Sequence, residues 1–324
     1  MIVALAGGVG GAKLAQGLYL ALPPETLTVI GNTADDMVHL GLRISPDLDT
    51  VLYTLAGLAN AATGWGIAGD STRTFDLLKR YGAEDWFLLG DLDLATHLRR
   101  TAMLASGATL TAVTVSLTRA LAVRAAILPM CDEPVGTIVE TPDGPLSFQD
   151  YFVRRHHQDP VTAIRFGGIA AARLPEGVGA ALDAAEAIIF CPSNPFVSLG
   201  PILAVPGFSE RLAAAPGPRV AVSPIIGGRA LKGPADRMLA GLGHDVSTLG
   251  VARLYAGILD GLVIDDEDAA LAPAIEALGL RTLVTGTIMG GEADRRRLAE
   301  ETLAFARSLA RARGARSLPA HGGR

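Results

Sequence analysis

The first 22 residues constrain this chain most. Five apolar residues, Ile2 to Ala6, run straight into Gly7-Gly8-Val9-Gly10-Gly11-Ala12-Lys13, after which Leu14, Leu18 and Leu22 recur with helical spacing. A short, wholly apolar run is the pattern of a strand buried on both faces. The segment therefore reads as strand, glycine turn, helix. LTVIGNTADD repeats the pattern of a buried strand ending in a polar loop. Helices are expected at 50–60, 72–80, 92–105 and 109–121, a strand at 124–130, and a hairpin around the PDGP turn within 135–148. Strands at 161–166, 187–192, 220–226, 261–265 and 282–286 then alternate with helices at 177–185, 207–215, 233–242, 269–278 and 291–313. Such alternation predicts an α/β fold with a mainly parallel sheet and helices on both faces. A single domain over 1–313 is expected, with a less regular helical and hairpin insertion at about 50–160 and a flexible tail at 314–324.

Composition narrows the function classes. With 324 residues and 49% hydrophobic content, the chain can bury a large core, which excludes global disorder. The net charge of −5 argues against a nucleic-acid surface driven by bulk charge. Two distant cysteines, Cys131 and Cys191, exclude a disulfide scaffold and a Cys-rich zinc module. The opening MIVALAGG is uncharged and soon broken by glycine, so it does not read as a signal peptide. No run approaches the roughly 20 apolar residues of a membrane span. A cytoplasmic protein without nucleic-acid or membrane partners is the expectation. Of the 28 basic residues only Lys13, Lys79 and Lys232 are lysines, and two of these sit in glycine-rich loops. Base composition explains an Arg bias. Chance could place two of the three there; the alternative is that a compact ammonium is wanted in those loops, as near phosphates.

Ligands of open parallel sheets bind beyond the carboxyl ends of the strands. Four such ends carry unusual residues: Gly7–Lys13, Gly31–Asp36, Cys191–Pro195 and Ser223–Lys232. The first is neither a Walker loop, lacking Ser or Thr after the lysine, nor a G-x-G-x-x-G fingerprint. Its glycines can still bring backbone N–H groups and a helix dipole to an anion; the plain alternative is a tight turn. In GNTADD, Asn32, Thr33, Asp35 and Asp36 suit ribose, base edges or a metal, and suit N-capping equally well. In SPDLDT, Asp47 and Asp49 lie two apart just before a helix and would share a face in extended chain, both reaching one hard cation; one of them as an N-cap is the alternative. GDLDLATH repeats the theme with Asp91, Asp93 and His97, although a lone histidine is more often structural. CPSNP offers Ser193 and Asn194 on a proline-stiffened loop, and GGRALKG a second glycine cradle with Arg229 and Lys232. The run Arg154, Arg155, His156, His157 is either a solvated basic face or a site for an anionic substrate. No Ser/His/Asp signature or H-E-x-x-H is present. Phosphate cradles with paired aspartates suit phosphoryl-type transfer or nucleotide binding.

Together GGVGGAKLAQGL, GNTADDMVHLGLRISPDLDTVLYTLAG, WFLLGDLDLATHLRR, CPSNPFVSLGPIL and SPIIGGRALKGPADRML resemble the 2-phospho-L-lactate transferases of coenzyme F-420 biosynthesis, the CofD/FbiA family, in the family's order from residue 1 to about 310. The bacterial relatives are described as phosphoenolpyruvate transferases. The resemblance implies a Rossmann-like fold, Mg²⁺, a homodimer, and a guanosine diphosphate-linked donor carrying phospholactate or phosphoenolpyruvate. It implies the deazaflavin Fo as acceptor, whose ribityl hydroxyl attacks the distal phosphorus as GMP leaves. Carried over by position, it suggests phosphate contacts at Gly8, Gly10, Gly11 and Lys13, and metal or acceptor contacts at Asp49, with Asp36 as a further catalytic and Asp47 as a further metal candidate. Asn32, Thr33, Pro192, Ser193, Asn194, Gly227, Gly228 and Lys232 would complete the nucleotide site. One departure stands out. Between Trp86 and Gly90 the family often carries a basic residue thought to touch the acceptor, and here Leu88 and Leu89 fill the stretch, which leaves open a different acceptor or a different pose. A nucleotide-sugar-binding regulator sharing the glycine loop is the rival from another class. A nicotinamide dehydrogenase is disfavoured by the failed fingerprint.

Overall fold

The computed structural model describes residues 1–317. Its centre is a seven-stranded sheet of β1 (Ile2–Ala6), β2 (Leu27–Gly31), β3 (Ala126–Pro129), β4 (Ala187–Phe190), β5 (Arg219–Val222), β6 (Gly261–Ile264) and β7 (Arg281–Val284). All neighbours pair in parallel, in the order β7-β6-β5-β4-β1-β2-β3. The strand order reverses between β1 and β4, where Leu5 lies opposite Phe190. This is a Rossmann-like, doubly wound arrangement, and that reversal opens a crevice at the carboxyl ends of the two strands.

Strand alternation divides the interior into two cores. Val3 and Leu5 of β1, with Ile188 and Phe190 of β4, pack one face. Ile2, Ala4, Ala6, Ile189 and Cys191 pack the other. The second face is covered by α1 (Gly8–Ala21), α2 (Pro46–Leu55) and the long helix Glu292–Ser317, through Leu14, Leu18, Val51, Leu298 and Leu303. β1 and β4 therefore bury both sets of side chains, as their unbroken apolar runs require.

Between β2 and β3 the chain forms a hairpin (Met37–His39 with Leu42–Ile44), α2, α3 (Arg73–Arg80), α4 (Asp91–Ala105) and α5 (Leu110–Ala120). Between β3 and β4 it forms a three-stranded antiparallel sheet. The strand expected at 161–166 is present as Ala163–Gly167, but it pairs antiparallel with Gly136–Thr141 rather than joining the main sheet. Its burial fits this: every residue of the strand is half-buried or exposed, unlike β1, β2, β4 and β6, whose residues are all buried. A helix at Thr248–Leu254 and the Met37–Ile44 hairpin were outside the expectations. Of the expected tail, 314–317 continue the last helix and the remainder lies outside the described residues.

Candidate active site

A cavity of about 840 Å³ opens at the carboxyl ends of β1 and β4. The four loops singled out from sequence converge beside it, but not every residue in them faces it. Gly7 is extended and Gly8, at φ +63°, turns the chain into α1. Gly7 is pinned to the loop after β4: its N–H donates to Ser193 Oγ at 3.1 Å, and that hydroxyl donates to the Gly7 carbonyl at 2.8 Å. Gly10 and Gly11 let α1 approach this loop. A Cβ on Gly10 would lie 2.3 Å from the Pro192 carbonyl oxygen, and one on Gly11 would lie 2.5 Å from Ser193 Oγ. Gly8, Gly10 and Lys13 line the cavity, as do Pro192, Ser193 and Asn194, whereas Gly11 is buried behind it. The Gly11 phosphate contact is thus corrected to a packing role.

The second glycine loop is corrected likewise. Gly227 and Gly228, both with positive φ, make the two-residue turn of the hairpin Ile225–Ile226/Arg229–Ala230. The Gly227 N–H donates to Asp268 Oδ2, and neither glycine lines the cavity. Lys232 does. Its Nζ donates to the Thr63 carbonyl at 3.3 Å, while Lys13 Nζ donates to the Met289 carbonyl at 2.9 Å. Two ammonium groups therefore stand in one cavity on neutral carbonyl partners. Burial lowers the Lys13 pKa, and Arg295 and Lys232 lower it further, so an anion between the lysines would relieve their mutual repulsion.

Beside this cationic end stands an acidic wall. Asn32 is fully buried, and its amide donates to Asp35 Oδ2 at 3.0 Å, Asp47 Oδ2 at 2.9 Å and the Val197 carbonyl at 3.1 Å. It is a structural hub rather than a cavity residue, and Thr33 is buried beside Cys131. Both are corrected from ligand contacts to supports. Asp35 and Asp47 line the cavity. Asp36 does not, and accepts the Ser45 hydroxyl at 2.6 Å. Burial pushes the carboxyls of Asp35 and Asp36 well above the ordinary range, and Asp47 repels Asp35 in addition. Burial also raises Asp47, opposed by its bonds from Asn32 and Gly8. Asp35 Oδ1 and Asp36 Oδ1 are buried without a partner.

The pair Asp47 and Asp49 does not share a face. Pro46 starts α2 one turn earlier than expected, so both aspartates occupy its first turn and point apart. Asp47 faces Gly8 and Asn32. Asp49 faces α4, where Arg100 binds both its oxygens, with Nη1 3.0 Å from Oδ2 and Nη2 on Oδ1. Asp93, His97 and Arg100 follow at i, i+4 and i+7 on one buried face of α4. Asp91 lies outside this group, capping α3 through the N–H groups of Arg73 and Thr74.

The far end of the cavity is apolar and aromatic. Trp86, Phe87, Leu88, Phe148 and Phe152 line it, whereas Trp65 lines the cavity next to the segment that holds Lys232. Phe148 and Phe152 stack 5.4 Å apart at 7°, and Arg154 lies 4.6 Å over the Trp86 ring. Leu88 is 43% exposed at the wall, while Leu89 is fully buried in a core with Phe75 and Leu94. Of the basic run, Arg154 pairs with Glu84 and Asp150, Arg155 pairs with Asp159, and only His156 lines the cavity. The aromatic wall, Tyr53 and Arg100 escaped sequence reasoning. Periodicity could have signalled Arg100; the aromatics come from distant loops with no shared spacing.

Among the described residues, no three His, Cys, Asp or Glu side chains are grouped to hold a metal ion. Mg²⁺ takes one or two carboxylates and completes its shell with water and phosphate. Asp35 and Asp47 fit that demand, because they are adjacent, line the cavity and leave a buried oxygen unpartnered. Asp49, with Arg100 on both oxygens, does not.

A doubly wound sheet with paired lysines, a glycine turn and acids at its switch point is the architecture of α/β proteins that bind ligands beyond the carboxyl ends of their strands. The sequence profile of "2-phospho-L-lactate transferase CofD" matches residues 2–277, and the chain belongs to that family of transferases. It is 40% identical over 299 residues to a 2-phospho-L-lactate transferase of Methanosarcina acetivorans, covering 92% of this chain and 97% of the relative. It is 44% identical over 287 residues to a phosphoenolpyruvate transferase of Streptomyces griseus, covering 86% and 90%. A crystal structure of a UPF0052 family protein from Bacillus halodurans shares the fold, with a TM-score of 0.61 at 16% identity over 93% of this chain and 98% of that one. Among the described residues no helix is long and apolar enough to cross a membrane.

Proposed function

We propose that this transferase moves a phospholactyl or phosphoenolpyruvyl group from a guanosine diphosphate-linked donor to the terminal ribityl hydroxyl of the deazaflavin Fo. The hydroxyl oxygen bonds to the donor's distal phosphorus, the bond from that phosphorus to the bridging oxygen breaks, and GMP leaves carrying that oxygen. The hydroxyl proton is released and a phosphodiester remains. A single cavity joining a cationic glycine-turn end to an aromatic end across an acidic wall supports this reading. A charged donor and a flat acceptor need such ends to meet at one reacting centre. Little covalent chemistry is required of the protein, only positioning and charge compensation.

In this reading Lys13, Lys232 and the start of α1 hold the diphosphate, and Pro192 to Asn194 border the nucleoside half. The deazaflavin ring lies against Trp86, Phe148 and Phe152, with Leu88 in place of a basic contact. Asp49, which Arg100 holds against α4, borders the cavity beside the acceptor. Asp35 and Asp47 would hold Mg²⁺, which when bound would offset the diphosphate charge. The functional unit is a cytoplasmic homodimer. The test is to offer Fo with both the lactyl and the enolpyruvyl diphosphoguanosine in the presence of Mg²⁺. Mass spectrometry should find one phosphodiester in amount equal to the GMP released. Nucleotide binding without GMP release would identify a nucleotide-sugar-binding regulator instead.

A further inference from the structure

A run of buried polar side chains lies under the cavity beside Asp49, and nothing in the reaction above uses its inner members. The Tyr53 hydroxyl donates to Asp93 Oδ1 at 2.7 Å. Asp93 Oδ2 lies 3.2 Å from His97 Nε2. His97 Nδ1 lies 3.2 Å from Arg100 Nη1, which also donates to Asp49 Oδ2 at 3.0 Å. His97 is 1% exposed and Arg100 2%. Tyr53, Asp93, His97 and Asp49 all border the cavity.

The chemistry of the partners fixes the tautomer. A guanidinium only donates, so His97 Nδ1 must be an acceptor toward Arg100. The ring proton then sits on Nε2, which lies near Asp93 Oδ2 but is not aligned to hydrogen-bond it. His97 Nδ1 is 3.7 Å from Asp49 Oδ2, too far for a hydrogen bond, so the histidine reaches Asp49 only through Arg100. A planar guanidinium whose Nη1 is shared between an imidazole and a carboxylate loses rotational freedom. The carboxylate it grips then keeps its remaining lone pairs aimed in one direction.

We propose that His97 is a positioning residue: as the Nδ1 acceptor of Arg100, it orients Arg100 and through it the face that Asp49 presents to the acceptor hydroxyl. The proposal rests on the transferase reading above, and two substitutions separate its parts. An asparagine at 97 places an acceptor oxygen where Nδ1 stands. A glutamine places a donor where Nε2 stands and leaves Nδ1 without a replacement.

The experiment compares His97→Leu, His97→Asn and His97→Gln with the parent, by steady-state kinetics in both substrates and by ¹⁵N NMR of the His97 ring in the parent. The parent ring should carry its proton on Nε2. Leu and Gln should lower kcat about 10- to 100-fold, the usual scale of a misplaced reacting group, and raise KM for the deazaflavin but not for the guanosine donor. Asn should recover kcat to within about threefold of the parent, on the same scale. Equal losses in Asn and Gln, a loss shared equally by both substrates' KM, or a proton on Nδ1 would overturn the proposal. A parent that shows the Nε2–H tautomer yet never turns over the deazaflavin would overturn the functional reading, and with it the orienting of Asp49 toward that acceptor.

Discussion

The backbone N–H of Gly8 donates to Asp47 Oδ1 at 2.7 Å. An amide at the start of α1, where a helix favours negative charge, is thus already engaged by the protein's own carboxylate. A diphosphate arriving at this turn meets Asp47, and the two repel unless a cation lies between them. Asp47→Asn keeps an acceptor oxygen for Gly8 and removes the charge. GDP should then bind about 2 kcal/mol tighter without Mg²⁺, the repulsion of unit charges roughly 8 Å apart at an effective dielectric of about 20. Added Mg²⁺ should help the variant less than the parent. Calorimetry with and without Mg²⁺ checks both signs, and an equal Mg²⁺ gain in the two proteins would remove Asp47 from the cation site.

Arg100 and Asp49 are both almost wholly buried. Asp49 raises the Arg100 pKa despite a desolvation that works to lower it. Removing either partner strands a charge. Arg100→Met should therefore cost about 3–5 kcal/mol of stability. The double change Arg100→Met with Asp49→Leu should recover much of that loss while turnover stays abolished. Urea unfolding measures the first effect and GMP release the second. Additive losses in the double variant would show that the two side chains do not interact.

The two cavity lysines should differ from the third. Lys13→Ala should weaken GDP binding by about 1.5–3 kcal/mol, the worth of a charge-assisted hydrogen bond, and Lys232→Ala should act in the same direction. Lys79 pairs with Asp85 at 3.6 Å on the surface and borders no part of the cavity, so Lys79→Ala should leave affinity unchanged. The lowered Lys13 pKa adds a sign. GDP affinity should fall as pH rises through that value, at lower pH than an ordinary lysine would produce. Titration calorimetry across the alkaline range tests this.

The strands and the four loops are legible in the sequence because buried parallel strands leave unbroken apolar runs that stop at their loops. Gly8, Lys13, Ser193 and Asn194 are found this way. Which loop residue faces the cavity is not legible. Gly11 and Gly10 are neighbours in one motif, yet α1 turns one toward Ser193 and Ala6 and leaves the other at the cavity. Asp47 and Asp49 are misplaced by a single helical turn, since a proline that starts a helix and one that ends a loop look alike. The aromatic wall is assembled by tertiary packing of segments around residues 86 and 150, and no local pattern records that meeting.

The entry to α4 offers a test of folding rather than chemistry. Asp70 accepts the N–H groups of Leu92 and Asp93 at the start of α4, while Asp91 accepts those of Arg73 and Thr74 at the start of α3. Each helix is capped by an acid lying beside the other, and α4 carries the His97–Arg100 face. The Ser71 hydroxyl, with the Thr74 and Arg73 amides, lowers the Asp91 carboxyl to about 2, from an ordinary 3.8. Between those two values the unfolded chain binds more protons than the folded one. Stability from Asp91 is therefore present in full above about pH 4 and is lost as pH falls toward 2. Asp93 and Asp265 are lowered too and act with the same sign, whereas the raised Asp35, Asp36 and Asp47 act oppositely, each losing stability as pH rises above the ordinary carboxylate range. Comparing Asp91→Asn with the parent isolates one contribution. The variant should melt at a lower temperature near neutral pH, and the gap should close as the pH falls to about 2. A gap that stays constant through that range would mean that the cap works by shape and not by charge.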